Sequence, residues 1–176
     1  METKTRAIDF ETLSLKDAID LATLVEQEAK DRYSELADQM EIHHNAEAAR
    51  FFRHMLQVES GHEARLAERR RSMFGSEPRA VSREMIFDVE APDYDEARHD
   101  MTVRDALNAA LRSEEKAFAF FDAALARVKA AGVRDLFEKL REEEREHRER
   151  VLREIGKLPP EPSIDAGAFE DEPVAH

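Results

Sequence analysis

The sequence repeats one of its own patterns along its length. The segment LKDAIDLATLVEQEAKDRYSELA, which begins at Leu15, aligns with VRDALNAALRSEEKAFAFFDAAL, which begins at Val103, at an offset of 88 residues. A second segment, ARFFRHMLQVESGHEARL from Ala49, aligns with RDLFEKLREEEREHRERV from Arg134 at an offset of 85 residues. Because two copies of one pattern favour the same local structure, we expect two similar halves, each built from two helices.

The aligned positions carry metal-binding residue types. Each half has a Glu at the same aligned position of its first segment and a Glu-x-x-His in its second. Together the halves supply four carboxylates and two imidazoles, which is the ligand composition of di-iron and di-manganese helical bundles. The six candidate metal ligands are Glu26, Glu59 and His62 in the first half and Glu114, Glu144 and His147 in the second.

Apolar residues recur at spacings of three and four in all four segments, which predicts four amphipathic helices. The first is expected over residues 15–40, after a capping box at Ser14, and the second over residues 46–71. The third should begin at the capping box of Thr102 and end at Gly132, and the fourth should end at Gly156. Residues 72–101 would form a long connection between the second and third helices.

This pattern predicts an all-α fold. Two helical hairpins joined by one long crossover form an antiparallel four-helix bundle of ferritin-like topology. We expect the bundle to occupy residues 1–156 as one domain. Residues 157–176 are rich in Pro and acidic side chains and are expected to form a mobile tail.

The composition argues against several classes of function. A net charge of −13 opposes binding to nucleic acid or to an anionic membrane. The sequence has no Cys, so it lacks the ligands of a rubredoxin-type or iron–sulfur centre, and electrons must come from an external donor. No apolar run approaches the roughly 20 residues of a membrane span, and the first residues show no apolar signal core. We therefore expect a soluble, cytoplasmic protein.

Two metal ions would explain six ionisable residues on apolar helix faces. Side chains at i and i+3 lie on one face, so each Glu-x-x-His can approach one ion. An isolated buried carboxylate costs several kcal/mol, whereas four Glu and two neutral His balance the charge of two divalent ions. Oxygen-rich ligation with only two imidazoles favours iron or manganese over zinc or copper. A buried polar network without metal is the alternative.

Two further Glu-x-x-His motifs are expected to be solvated surface charge. Glu41 and His44 fall in the turn between the first two helices, and Glu96 and His99 fall in the polar crossover. Neither pair continues an apolar face. Position along the helix therefore separates these motifs from the two candidate ligand pairs.

Tyr33 is a candidate partner of a ligand carboxylate. It lies two turns after Glu26 on the same predicted face, and its hydroxyl could hydrogen-bond a ligand Glu or relay an electron. A core aromatic with a buried hydroxyl is the alternative. Its aligned counterpart, Phe121, belongs to AFAFFDAALA, which is apolar nearly all round, so we expect the crossover or a second subunit to cover it. A homodimer or larger homo-oligomer is expected.

These residues resemble the rubrerythrin-related branch of the ferritin-like superfamily over residues 14–156. EQEAKDRY, from Glu26 to Tyr33, is similar to the first-helix pattern of that family, and ESGH and EREH are similar to its two Glu-x-x-His motifs. Glu114 matches the third-helix Glu. The resemblance implies a di-iron site in a helical bundle, self-association, and oxidoreductase activity toward peroxide, oxygen or ferrous iron.

The chain departs from the family pattern at two points. Ala117 stands where rubrerythrin has a further Glu, so the ligand set is symmetric and more similar to a bacterioferritin ferroxidase centre. The C-terminal rubredoxin domain of rubrerythrin has no counterpart here. Ser60 stands where bacterioferritin has its haem-binding Met, so no haem is expected.

Three functions are consistent with the sequence. The leading interpretation is a di-iron oxidoreductase that reduces peroxide or oxygen with electrons from an external donor or from Fe(II). The alternative is a ferroxidase that binds and stores iron. A third is a metal-dependent structural or interaction module, which would hold metal without turnover or storage.

Overall fold

The computed structural model describes residues 8–86 and 102–160, and all regular structure in those ranges is helical. Four long helices are joined in sequence, and a single 3-10 turn, Arg83–Met85, follows the second. The predicted crossover beyond residue 86 and the predicted tail beyond residue 160 lie outside the described residues. The helices are α1, Leu15–Ile42; α2, Ala46–Phe74; α3, Val103–Leu125; and α4, Ala131–Gly156.

Polar side chains begin the first three helices where the sequence predicts them. The Ser14 hydroxyl accepts a hydrogen bond from the backbone N–H of Asp17 at 3.1 Å, and Asn45 accepts one from Ala48 at 3.0 Å. Thr102 and Asp105 form a complete capping box in which each side chain accepts from the other's backbone N–H. Such caps satisfy N–H groups that have no partner inside the helix.

The prediction that Gly132 ends the third helix is wrong. Helix α3 ends at Leu125, and Gly132 is the second residue of α4. The Arg134 side chain donates to the carbonyls of Leu125 and Val128, at 3.2 and 2.9 Å, and so caps the end of α3 from the following helix. Gly132 instead lies close to α1, where an added Cβ would meet a Leu15 methyl at 3.5 Å.

The core consists of two apolar clusters along the bundle. One contains Ile19, Phe121 and Phe137, and the other contains Phe52 and Val151. On α1 the first cluster extends to Val25 and the second begins at Tyr33. The candidate ligand Glu26 lies between them, so the polar centre is a layer between two apolar regions.

The apolar stretch of α3 is covered in part by residues that precede α1. Phe10, which precedes α1, packs edge-on against Phe120 at 5.7 Å between ring centroids and against Phe137 at 6.4 Å. Phe121 is fully buried against the core. Residues N-terminal to α1 therefore cover part of this stretch, and the homo-oligomer stays a prediction. None of the described helices is long and apolar enough to cross a membrane.

A buried ion pair fixes the start of the crossover. The carboxylate of Asp20 on α1 contacts the Arg70 guanidinium of α2, with Nε to Oδ1 at 3.0 Å, and neither residue is more than 8% exposed. Arg70 also donates to the carbonyl of Gly75 at 2.9 Å and to that of Glu77 at 2.5 Å. Gly75 has a positive φ of 57°, a conformation that favours glycine. These contacts hold the chain that leaves α2 against the first hairpin.

Candidate metal centre

All six predicted ligand side chains meet at the centre of the bundle. Each helix contributes, because the lone Glu residues lie on α1 and α3 and the Glu-x-x-His motifs lie on α2 and α4. Five of the six residues are at most 2% exposed, and His62 is 8% exposed. The repeat along the sequence thus becomes a pair of facing ligand sets in the structure.

Glu59 joins the two sets. Its Oε1 lies 3.1 Å from Nδ1 of His147, and its Oε2 lies 3.6 Å from Nδ1 of His62. The two imidazole rings are stacked with centroids 5.0 Å apart. A carboxylate with one oxygen toward each imidazole has the arrangement of a bridging ligand between two ions.

The remaining carboxylates complete each set. Nδ1 of His62 lies 3.5 Å from Oε2 of Glu26, and Nδ1 of His147 lies 3.4 Å from Oε2 of Glu114 and 3.5 Å from Oε2 of Glu144. Ligand atoms of Glu114, Glu144 and His147 all fall within 4.8 Å of one another. Such spacing allows the three side chains to bind one ion.

Each of the six residues keeps a buried polar atom that makes no well-aligned hydrogen bond among the described residues, although Oε1 of Glu59 and Nδ1 of His147 lie only 3.1 Å apart. An unsatisfied buried polar atom costs about 1–3 kcal/mol, and more when it is charged. Six such atoms converging on one place fit a pair of cations better than a self-contained polar network. The atoms are Oε1 of Glu26 and Glu59, Oε2 of Glu114 and Glu144, and Nδ1 of His62 and His147.

The electrostatics of the cluster show how strongly it favours positive charge. Burial raises the pKa of Glu59 well above its usual range, and the surrounding carboxylates raise it further. Burial likewise raises the pKa of Glu144. Burial opposes protonation of His147, but the adjacent carboxylates of Glu114 and Glu144 outweigh it and raise the His147 pKa to about 10. These shifts favour the protonated forms of Glu59, Glu144 and His147 without metal, and a bound divalent ion would favour the deprotonated forms.

Tyr33 distinguishes the two halves of the centre. Its hydroxyl donates a hydrogen bond to Oε1 of Glu114, which lies on the opposite hairpin. Its ring is buried against Phe52, with centroids 6.2 Å apart. The aligned Phe121 has no hydroxyl to offer Glu26, so among the described residues a tyrosine hydroxyl holds the α3 carboxylate and not the α1 carboxylate.

The Glu-x-x-His motif in the first turn lies away from the centre. His44 is exposed, and Glu41 pairs with Arg53 at 3.0 Å on the surface. Glu96 and His99 lie outside the described residues. Sequence reasoning overlooked Glu143, whose Oε2 is 3.9 Å from Nδ1 of His62. Its place in a run of three Glu resembles solvated charge, and the aligned residue in the first half is Val58, so the repeat gave no signal.

The fold and its central carboxylate and imidazole cluster are those of the ferritin-like class of di-metal helical bundles. The family model for rubrerythrin matches residues 17–155, and the chain belongs to that family. Membership implies a di-iron site of the kind these buried Glu and His residues could hold. The sequence-based prediction of family and fold class is confirmed.

A solved structure supports the same assignment. An uncharacterized conserved protein from Magnetospirillum magnetotacticum MS-1 is similar to this chain with a TM-score of 0.71 and 30% sequence identity. The similarity covers 86% of this chain and 99% of that one. No curated protein matches the chain at a significant level of sequence similarity.

Proposed function

We propose that this protein is a di-iron oxidoreductase that reduces peroxide or oxygen. Iron would be held by four carboxylates and two imidazoles, Glu26, Glu59, His62, Glu114, Glu144 and His147. The observation that carries the proposal is the set of six orphaned polar atoms converging between two apolar clusters. Family membership supports iron as the metal.

The chain's own residues would place and balance the ions. Two ferrous ions bound here would supply two electrons, which with two protons convert hydrogen peroxide into two molecules of water. Glu59 would help to hold both ions, since each of its oxygens faces a different imidazole. Tyr33 would hold Glu114 in one orientation. Electrons would return from an external donor, because the sequence has no Cys to hold a rubredoxin-type centre.

Single ligand substitutions test this function. His62→Ala and His147→Ala each remove one imidazole, and disturbed ligation typically costs on the order of 10–100-fold. Each variant should lose most peroxide-driven oxidation of Fe(II) in stopped-flow absorbance, and the double variant should be little worse because the two halves act as one unit. His44→Ala is the control variant, because His44 is exposed and lies away from the centre, and it should keep the parental rate.

The same preparations separate the enzyme from the storage alternative. An oxidoreductase should bind about two irons per chain and turn over repeatedly when a reductant is supplied. Uptake of many more irons per chain, with oxidation that ends when Fe(II) is exhausted, would favour storage instead. Parental rates in His62→Ala and His147→Ala would show that the ligand assignment is wrong.

A further inference from the structure

Among residues 8–86 and 102–160, the metal centre opens to the surface beside His62. A cavity of about 70 Å³ reaches from the surface to Glu26 and His62. Its outer wall carries the charged residues Arg65, Arg69, Lys139 and Glu143. His147, by contrast, is 1% exposed. The ion nearest His62 would therefore be the one that meets solvent and small molecules.

Glu143 lies where the opening meets the centre. Its Oε2 is 3.9 Å from Nδ1 of His62, and ligand atoms of Glu26, His62 and Glu143 fall within 4.8 Å of one another. Its Oε1 contacts Nη2 of Arg65 at 3.3 Å and Nζ of Lys139 at 3.8 Å. One carboxylate oxygen thus faces the ligand set, and the other faces two surface cations.

The inner wall of this opening has unsatisfied ligand atoms. Oε1 of Glu26 and Nδ1 of His62 have no hydrogen-bond partner among the described residues, although both side chains are at least nine-tenths buried. Arg65 and Lys139 are more than half exposed, so their attraction for Glu143 is screened by water and weak. A cation between Glu26 and His62 would compete with them for the same carboxylate.

The second half of the centre has no equivalent residue. The position aligned with Glu143 is Val58, whose side chain cannot bind metal. Glu114, on that second side, is instead held by Tyr33. The two metal positions therefore differ. The position beside His62 has an additional carboxylate at its opening, and the position beside His147 has a ligand, Glu114, that a hydrogen bond from Tyr33 holds in place.

We propose that Glu143 is a seventh protein ligand, serving only the divalent ion that Glu26, Glu59 and His62 would bind. Its carboxylate exchanges between that ion and the cations Arg65 and Lys139 at the opening. This inference rests on the proposed di-metal site and adds to it an inequality between the two positions. The ion beside His62 has the adjustable coordination, and the ion beside His147 has the fixed one.

Co(II) titration of the metal-free full-length protein tests this role, because visible absorption of Co(II) reports its coordination without turnover. The parent should bind two ions. Glu143→Gln should bind one of them about tenfold more weakly or worse, with a changed visible spectrum, and the other with parental affinity. Glu142→Gln is the matched control, since Glu142 is exposed on the same helix and pairs with Arg145.

Added salt separates ligation from simple electrostatic attraction. A charge that only draws cations to the opening is screened at high ionic strength, whereas a ligand is not. The difference between Glu143→Gln and the parent should persist in high salt. Parental affinities and spectrum in Glu143→Gln, or a difference that vanishes with salt, would overturn the role of Glu143 while leaving the di-metal site intact. A parent that binds fewer than two ions would overturn both.

Discussion

Tyr33 is the residue that most clearly separates the two halves of the centre. The duplication placed a Glu on both α1 and α3, but in the part of the chain that the structure describes Glu114 alone accepts a hydrogen bond from a tyrosine on the other hairpin. The bond also joins the second apolar cluster, where the Tyr33 ring packs, to the polar layer. The Tyr33 hydroxyl therefore connects the packing of the second apolar cluster to the orientation of Glu114.

Replacing Tyr33 by Phe should remove the hydrogen bond to Glu114 without creating a cavity. Hydrogen bonds to charged groups contribute about 1.5–3 kcal/mol, and the buried Glu114 oxygen would lose its donor. The free energy of unfolding of the metal-loaded protein should fall by about that amount in denaturant titrations. Unchanged unfolding, with unchanged metal affinity, would mean that this hydroxyl contributes nothing to the centre.

The shifted pKa values predict how the metal-free protein responds to pH. The pKa of His147 is raised from 6.5 to about 10, so its contribution to stability is fully present below pH 6.5 and is lost as the pH rises toward 10. Glu59 and Glu144 act in the same direction, because their pKa values are raised and their protonated forms are favoured in the folded state.

Melting temperatures of metal-free protein should therefore fall as pH rises from 6.5 to 10. Loaded protein should fall less, because bound cations favour the deprotonated ligands. Melting curves recorded across this range, with and without metal, measure both slopes. A metal-free protein that gains stability toward pH 10 would contradict the charge distribution described for the cluster.

At the scale of the helices, local signals predicted where α1, α2 and α3 begin better than where α3 ends. Ser14, Asn45 and Thr102 cap their helices through residues three positions away, so a short stretch of sequence contains the whole interaction. The end of α3 depends on Arg134, which belongs to the next helix and reaches back to two carbonyls. Glycine is a frequent helix stop, but a side-chain cap from another element can replace it.

The pair between α1 and α2 was equally hidden from sequence patterns. Asp20 and Arg70 are 50 residues apart, and nothing in the periodicity of either helix relates them. Breaking a buried pair by removing one partner costs about 3–5 kcal/mol, because the other charge stays buried. If Arg70 were removed, the Asp20 carboxylate would still be neutralised in part by Lys16 and Arg79, which lie 3.5 and 3.4 Å from it.

We therefore expect Arg70→Met to lower the free energy of unfolding by about 3 kcal/mol, the lower end of that range. Met keeps much of the apolar stem and removes the charge. The double variant Asp20→Asn with Arg70→Met should lose less, since the fully buried carboxylate loses its charge together with its buried partner, and exposed Arg69→Met should be nearly silent. Equal losses in the single and double variants, measured by urea denaturation, would argue against a buried charge as the cause.

At the scale of the whole molecule, the repeat predicted four helices, their order and the six side chains that meet between them. When apolar residues recur with a clear helical period, they determine which side of the helix faces the core and which charged residues lie on that side. The second copy of the pattern restricts the possible packing arrangements further. Phe10 over Phe120 and Glu143 beside His62 were not predictable in this way. Both depend on which surfaces meet after the helices pack, and neither position is repeated in the other half.

The whole bundle should depend on metal for part of its stability. The centre draws ligands from all four helices, so bound ions would link the two hairpins through the layer between the apolar clusters. A ligand that binds only the folded state at 100 times its Kd adds about 2.7 kcal/mol. For a chain of this size, each kcal/mol shifts Tm by about 2–4 °C, so removing metal at neutral pH should lower Tm by about 5–10 °C.

The control for this effect is a variant that cannot hold the ions. The double variant His62→Ala with His147→Ala lacks both imidazoles, so metal and chelator should leave its Tm nearly equal. The parent should regain its loaded Tm when Fe(II) is restored under anaerobic conditions, which separates metal linkage from irreversible damage during chelation. Calorimetry of both proteins in both states gives the four values required. A parent with the same Tm before and after chelation, once elemental analysis confirms that the metal has been removed, would mean that the cluster is stable without ions and that the bundle does not use them to join its hairpins.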